Sequence, residues 1–361
     1  MKRLLLTFIF MLLIGGGFGS TVRATVYATN YTDPVALPAL GQDYYLGEMG
    51  GLYPGGSNAV PAAYQTNEID PAIATLGGDS HIVVLCLGMS NLKHSCDELI
   101  SRLDGAVNPA VTIVNGGQPG RAQQAWDGIL SDQVWVNADK RLTQAGESPG
   151  AVDVVLYFNA WGYPDESDFT TYITTMRGSL QSTMDNIAAH YANTQLIYLT
   201  SREYAGFATS NLNPEPWAYW DGFAVKGLIA DRINGVSSTP PLLWQAYQWD
   251  ASWPASYYVD GVHLSAAGLD AAGDLWLAAL LTQPWFAAGP VPTVTPTLVP
   301  TVTPTSDPAA TATPTAVFTP TPTLTATPAN ATPTATPVCP PWAPPDCWAT
   351  PTARATPDGG W

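Results

Sequence analysis

The sequence predicts an α/β protein, a three-layer α/β/α sandwich built on a parallel sheet. Three observations carry that expectation. From Ser80 to about Gln283 short apolar runs alternate with segments of helical spacing, the pattern of a sheet covered on both faces. Ser90, Gly120 and Asn159 each follow the end of such a run, the edge at which open parallel sheets gather their ligands. The stretch, about two hundred residues long, is ample for one such core.

The elements follow in order. A first strand, Ile82 to Leu87, runs into Gly88-Met89-Ser90-Asn91, and Leu92, Leu99, Ile100 and Leu103 recur at helical spacing, so a helix is expected over about Asn91 to Leu103. Val111 to Val114 reads as a second strand, closed by the loop Asn115-Gly116-Gly117-Gln118-Pro119-Gly120, with a helix expected over about Ala122 to Leu130. The third strand, Val152 to Phe158, ends at Asn159. Helices over about Phe169 to Tyr191, Trp217 to Ile233 and Ser265 to Leu281 alternate with strands at Leu196 to Thr200 and Leu242 to Gln245.

Outside this stretch the composition changes. Residues 1–24 have the layout of a secretory signal: Lys2 and Arg3, an apolar core from Leu4 to Ile14, and Val22-Arg23-Ala24 as a small-residue cleavage site. The apolar core is too short to span a bilayer comfortably and no later stretch is longer, so a secreted, extracellular protein without a membrane span is expected. Residues 25–79, rich in Gly, Pro, Tyr and Asn, are expected to wrap the 80–288 domain as an irregular arm, docked by Tyr44, Tyr45, Leu46, Leu52 and Tyr53. Its tip is a candidate to line a cleft, with packing as the plainer role. Residues 289–338 repeat Thr-Pro and Thr-Ala-Thr-Pro; proline fixes φ and removes donors, so an extended spacer is expected. The end, 339–361, carries Cys339, Trp342, Cys347 and Trp348 and reads as a disordered tail or a small element touching cell-wall or other extracellular glycan.

Charge excludes one class of partner. The formal net charge is −16, and loss of the signal, with Lys2, Arg3 and Arg23, leaves 10 basic against 29 acidic residues, or −19. Nucleic acid binding needs clustered Lys and Arg, and no such stripe is present. Four cysteines suit an oxidising compartment without being dense enough to staple a fold. Cys86 and Cys96 pair or are separate buried thiols; separate thiols are expected, because a mid-strand side chain points into packing. Cys339 and Cys347 are close enough to close a small loop.

The chemistry concentrates in a few residues. Asp260-Gly261-Val262-His263 puts a carboxylate and an imidazole on one short turn, so the acid can hold one ring nitrogen while the other faces a hydroxyl from elsewhere. The same spacing serves a loop salt bridge or two metal ligands. Ser90, at a strand-to-helix turn, is the candidate hydroxyl; a helix N-cap is its structural alternative. Gly120 offers a bare backbone N–H and Asn159 a side-chain amide, each of which also reads as a plain turn residue. For a metal, no second His lies at ligand spacing to His263, and His81, His94 and His190 are scattered, so neither a metal nor another cofactor is expected.

Ser90, Gly120, Asn159 and Asp260 with His263 fall in an order that resembles the SGNH (GDSL-like) hydrolase family over about residues 80 to 282. Asp260-Gly261-Val262-His263-Leu264-Ser265 is the most specific block of that resemblance. It implies a flavodoxin-like sandwich and a serine esterase: Ser90 the nucleophile, His263 the base steadied by Asp260, and the Ser90 N–H, Gly120 N–H and Asn159 amide the oxyanion hole. The departures are Met89 where the family usually has Asp before the Ser, and Ala160 where it has Asp after the Asn. Neither missing carboxylate carries the chemistry, so hydrogen-bond support must come from elsewhere. Gly50 to Asn58, Gly88 to Asn91, Ser201 to Phe207, Leu212 to Pro216 and Gly222 to Lys226 also resemble a group of secreted bacterial proteins that share Met at this place.

Substrate class rests on composition alone. Arg202, Glu203, Tyr204, Trp217, Tyr219, Trp220, Trp244, Trp249, Trp253, Tyr257 and Tyr258 are dense in aromatics beside charge, which suits sugar faces and equally suits a core. Arg202, Tyr204 and Trp217 are taken as substrate-binding candidates, with Arg202 alternatively paired to Glu203 or Asp221. The substrate expected is a small-molecule or glycan ester. The rival reading is a catalytically silent relative that binds glycan or adheres.

Overall fold

Parallel strands must be joined by crossovers, and crossovers cover both faces of the sheet, which is why the strand sequences are unbroken apolar runs. The computed structural model describes residues 26–27 and 34–289; the signal, the spacer, the tail and Cys339 and Cys347 lie outside the described residues. Strands β1 (Ile82–Gly88), β2 (Val111–Asn115), β3 (Val152–Phe158), β4 (Leu196–Thr200) and β5 (Leu242–Trp244) form one parallel sheet in the order β2-β1-β3-β4-β5. Helices α1 (Asp70–Gly77), α2 (Ser90–Ser101), α3 (Gln133–Gln144), α4 (Phe169–His190), α5 (Trp217–Ile233) and α6 (Ala266–Leu281) flank it. This is the three-layer, flavodoxin-like arrangement expected from the sequence, and its strand order reverses between β1 and β3.

Alternate residues of each strand feed two cores. Val83, Leu85, Val155 and Tyr157 pack with Met176 and Leu180 of α4 and Phe223 and Leu228 of α5. Val84, Cys86, Leu156 and Phe158 face Leu92, Cys96 and Leu99 of α2 and Trp276 of α6. Each fully buried Leu, Met or Phe contributes on the order of 1.5–3 kcal/mol.

Three sequence expectations are corrected. The helix over Ala122 to Leu130 is absent; a single turn, Gln123–Ala125, stands there, and the crossover helix is α3, whose Val134, Trp135, Ala138 and Leu142 are buried. The Gln123 N–H bonds the Ala160 carbonyl at 2.9 Å, a tertiary bond that takes the place of a helical one. Cys86 and Cys96 are not separate thiols but a disulfide, with Cα atoms 6.5 Å apart. A mid-strand side chain does point into packing, but what packs on β1 is α2, and Cys96 lies on that contact face. The arm is less irregular than expected, with a helical stretch from Ala62 through a π turn to Gly77.

The arm covers the free edge of β5. Leu242 and Trp244 donate their backbone N–H groups to the hydroxyls of Tyr64 at 2.8 Å and Tyr53 at 3.2 Å. The Trp244 indole donates to the Leu52 carbonyl at 2.6 Å, and Lys226 of α5 donates to the carbonyls of Met49 and Gly50. An open strand edge is a template for unwanted pairing, and here side-chain oxygens occupy it. Among the described residues no helix is long and apolar enough to cross a membrane.

Candidate active site

The turn from β1 to α2 sets Ser90 in place. Gly88 has φ 150°, and a Cβ there would stand 1.9 Å from the carbonyl oxygen of Phe158, so only glycine lets the ends of β1 and β3 approach so closely. Met89 occupies the cap position in extended conformation and Ser90 is the first residue of the helix, among N–H groups that lack intrahelical partners. The Ser90 hydroxyl is not a cap; its Oγ lies 2.9 Å from His263 Nε2.

The second half of the site is a short turn before α6. Asp260 Oδ2 accepts from His263 Nδ1 at 2.8 Å, and Oδ1 accepts from the backbone N–H groups of Val262 at 2.9 Å and His263 at 2.7 Å. Burial pushes the Asp260 carboxyl up, but the hydrogen bonds from the His263 ring, the His263 N–H and the Val262 N–H outweigh it and hold the acid well below the usual carboxylate range. Gly261 has φ 79° and its absent Cβ would lie 1.9 Å from the Phe207 carbonyl oxygen, so the turn is seated directly on the loop after β4. Ser265 caps α6 by accepting from the Gly268 N–H. Hydroxyl, imidazole and carboxylate are therefore in line, and the line can move a proton from oxygen to nitrogen while the acid stabilises the resulting cation.

Two buried residues, Asn91 and Glu203, tie the halves together. Asn91, next to Ser90, donates from Nδ2 to the Val262 carbonyl at 2.9 Å and to Glu203 Oε2 at 3.3 Å. Burial pushes the Glu203 carboxyl up, against the pull of neighbouring Arg202, whose Nη1 is 3.7 Å from Glu203 Oε2. The only signal in the sequence was the proximity of Asn91 to Ser90 and of Glu203 to a strand end.

Gly120 lies in the loop after β2, and Asn159, just past β3, meets that loop at Arg121. Gln118 N–H bonds the Gly88 carbonyl at 2.8 Å, which draws the loop against the Ser90 turn, and Gly120 lines the cleft over Ser90. Asn159 is 1% exposed; its Nδ2 donates to the Tyr157 hydroxyl at 3.2 Å and to the carbonyl of Arg121, the residue after Gly120, at 3.4 Å. Asn159 is not part of the cleft lining.

The cleft, of about 460 Å³, is lined by Ser90 and His263 together with Trp161, Tyr163, Arg202 and Asn213. Of the three substrate-binding candidates only Arg202 lines it. Tyr204 packs its ring on Phe207 and Trp249, and the Trp217 indole donates to the Glu166 carbonyl at 2.6 Å. Tyr219, Trp220, Trp244, Trp249 and Tyr258 are core residues, so most of the aromatic density after β4 serves packing. Trp161 and the 69% exposed Tyr163 are the aromatic walls that the sequence did not single out. Among the described residues of the arm, none lines the cleft. Among the described residues no three His, Cys, Asp or Glu side chains gather as a metal site.

A doubly wound parallel sheet with a Ser–His–Asp line at its carboxyl edge, next to the strand-order reversal, defines an α/β protein with the groups needed for nucleophilic chemistry. No protein-family model and no curated protein matches the chain. Among solved structures, a lipase from a goat rumen metagenome is similar at 15% identity and a TM-score of 0.37, over 55% of this chain and 97% of that one. An acetylxylan esterase from Geobacillus stearothermophilus is similar at 13% identity and a TM-score of 0.34, over 57% and 95%. The catalytic domain of peptidoglycan O-acetyltransferase A from Streptococcus pneumoniae is similar at 14% identity and a TM-score of 0.31, over 58% and 97%.

Proposed function

We propose that the protein is a secreted SGNH-type serine esterase that hydrolyses carboxylic esters of a carbohydrate or another small molecule. One observation carries the reading: the unbroken line Ser90 Oγ to His263 Nε2 at 2.9 Å and His263 Nδ1 to Asp260 Oδ2 at 2.8 Å, assembled from stretches far apart in the chain. In the proposed reaction His263 Nε2 takes the Ser90 proton as Oγ attacks the ester carbonyl. The Ser90 N–H, the Gly120 N–H and one N–H of the Asn159 amide receive the negative charge that develops on the carbonyl oxygen. His263 then returns the proton to the leaving alkoxide, and water, activated by the same imidazole, releases the acyl group. Trp161 and Tyr163 offer faces for a sugar ring, with Arg202 and Asn213 as polar partners for its substituents.

The test uses p-nitrophenyl acetate and a fluorophosphonate probe. Wild type is expected to turn over the ester and to be labelled, and Ser90→Ala to lose both; labelling of Ser90→Ala at wild-type strength would refute the nucleophile. A second reading, a catalytically silent glycan-binding protein, is favoured by the burial of Asn159 outside the cleft lining together with Met89 and Ala160 in place of carboxylates. It predicts no turnover across an ester panel and glycan-array binding that Ser90→Ala leaves unchanged.

A further inference from the structure

An oxyanion donor is useful only if its hydrogen is aimed, and a side-chain amide can turn over to present its oxygen instead. In Asn159 that choice is made by a chain of buried hydrogen bonds leading away from the cleft. Tyr157 lies on β3 and Asn159 just past its end, and Asn159 Nδ2 lies 3.2 Å from the Tyr157 hydroxyl. Tyr157 donates its one proton to Gln123 Oε1 at 2.6 Å. Gln123 in turn donates from Nε2 to Ser179 Oγ at 3.0 Å and to Thr183 Oγ1 at 2.9 Å, and Ser179 donates to Asp127 Oδ2.

The direction of the whole chain is fixed from its far end. A carboxylate offers only acceptors, so Ser179 must spend its proton on Asp127; Thr183 spends its own on the Ser179 carbonyl at 3.2 Å. Both hydroxyl oxygens can then only accept, which forces Gln123 to present its NH₂ to them and its oxygen to Tyr157. Burial pushes the Tyr157 phenol up, so it keeps its proton at neutral pH. With that proton committed to Gln123, the Tyr157 oxygen can accept only an N–H. A turned-over Asn159 would set oxygen against oxygen inside a buried site and leave both without a donor. Asn159 Oδ1 meanwhile accepts the Ala160 N–H at 3.0 Å. The second hydrogen of Nδ2 goes to the Arg121 carbonyl at 3.4 Å, the longest of these contacts and the one made to the residue after Gly120.

We propose that Tyr157, Gln123 and Ser179 are positioning residues that hold the Asn159 amide as a donor, a task that falls to them where Ala160 stands in place of a carboxylate. The inference rests on the esterase reading and adds to it. Its test is a double-mutant cycle on p-nitrophenyl acetate. Tyr157→Phe is expected to lower kcat by about tenfold with KM within about twofold, and the same change made in an Asn159→Ala background to alter kcat by less than about twofold. Unchanged kcat in Tyr157→Phe, or an equal loss in both backgrounds, overturns the relay while leaving the esterase standing. Wild type without turnover or fluorophosphonate labelling removes the esterase reading and the relay with it. Should Tyr157→Phe fail to fold, Ser179→Ala enters the same cycle with the same two criteria.

Discussion

Asp260 gathers three hydrogen bonds on one carboxylate, from its own turn and from the ring it steadies. Asp260→Asn should keep the turn's backbone bonds yet lose the negative charge opposite the imidazole, so kcat on p-nitrophenyl acetate is expected to fall about a thousandfold or more. The same carboxyl links stability to pH. Its folded pKa lies below its unfolded value, so its stabilisation is present above the ordinary carboxylate pKa and is lost as pH falls toward the folded one. The gap in urea midpoint between wild type and Asp260→Asn should therefore be widest near pH 7 and narrower at pH 3. Ser90, Asp260 and His263 were legible in the sequence because each sits in a local pattern: a strand end, or two residues on one turn. Glu203 and Asn91 meet across 112 positions, and Trp161 and Tyr163 owe their place to the cleft, so no local pattern marked them. Composition counted the aromatics after β4 correctly but could not say that Tyr219 and Trp249 face the core.

At the scale of elements, α2 is tied to β1 by a bridge between residues ten apart that flank Ser90. Replacing both Cys86 and Cys96 by Ala should lower the free energy of unfolding by about 3 kcal/mol, measured by chemical denaturation under oxidising conditions. Helix α5 carries a different liability. Asp221 is wholly buried, accepts from Tyr172 at 2.7 Å, and burial raises its pKa to about 8 despite that bond and the nearby Arg202. A carboxyl whose folded pKa is raised favours the folded state at low pH and loses that advantage as pH climbs from about 4 to about 8. Wild type should thus lose thermal stability across that window, and Asp221→Asn should flatten the profile. The strands and the long helices α4 and α5 were read from the sequence to within a residue or so, because deep burial makes period and function coincide. Helix α3 was missed although its apolar stripe is regular, since the preceding segment also has helical composition; there Gln123 serves a buried polar chain instead of a helix face.

The whole molecule is closed at one edge by the arm. Tyr53→Phe and Tyr64→Phe together should each cost about 1–3 kcal/mol by leaving a β5 N–H without its acceptor, and should raise the tendency to associate, as read by light scattering at rising concentration. The arm's composition announced a segment able to dock but could not name its dock, because the partners lie 178 and 191 positions further on. That separation fixes a temporal order. A nascent chain delivers Tyr53 and Tyr64 long before the strand they must meet, so their hydroxyls wait through the synthesis of nearly the entire sandwich. A truncated translation product lacking Leu242 onward would keep the arm's contacts with α5, such as Lys226 on Met49 and Gly50, but would leave the Tyr53 and Tyr64 hydroxyls without the strand they cap.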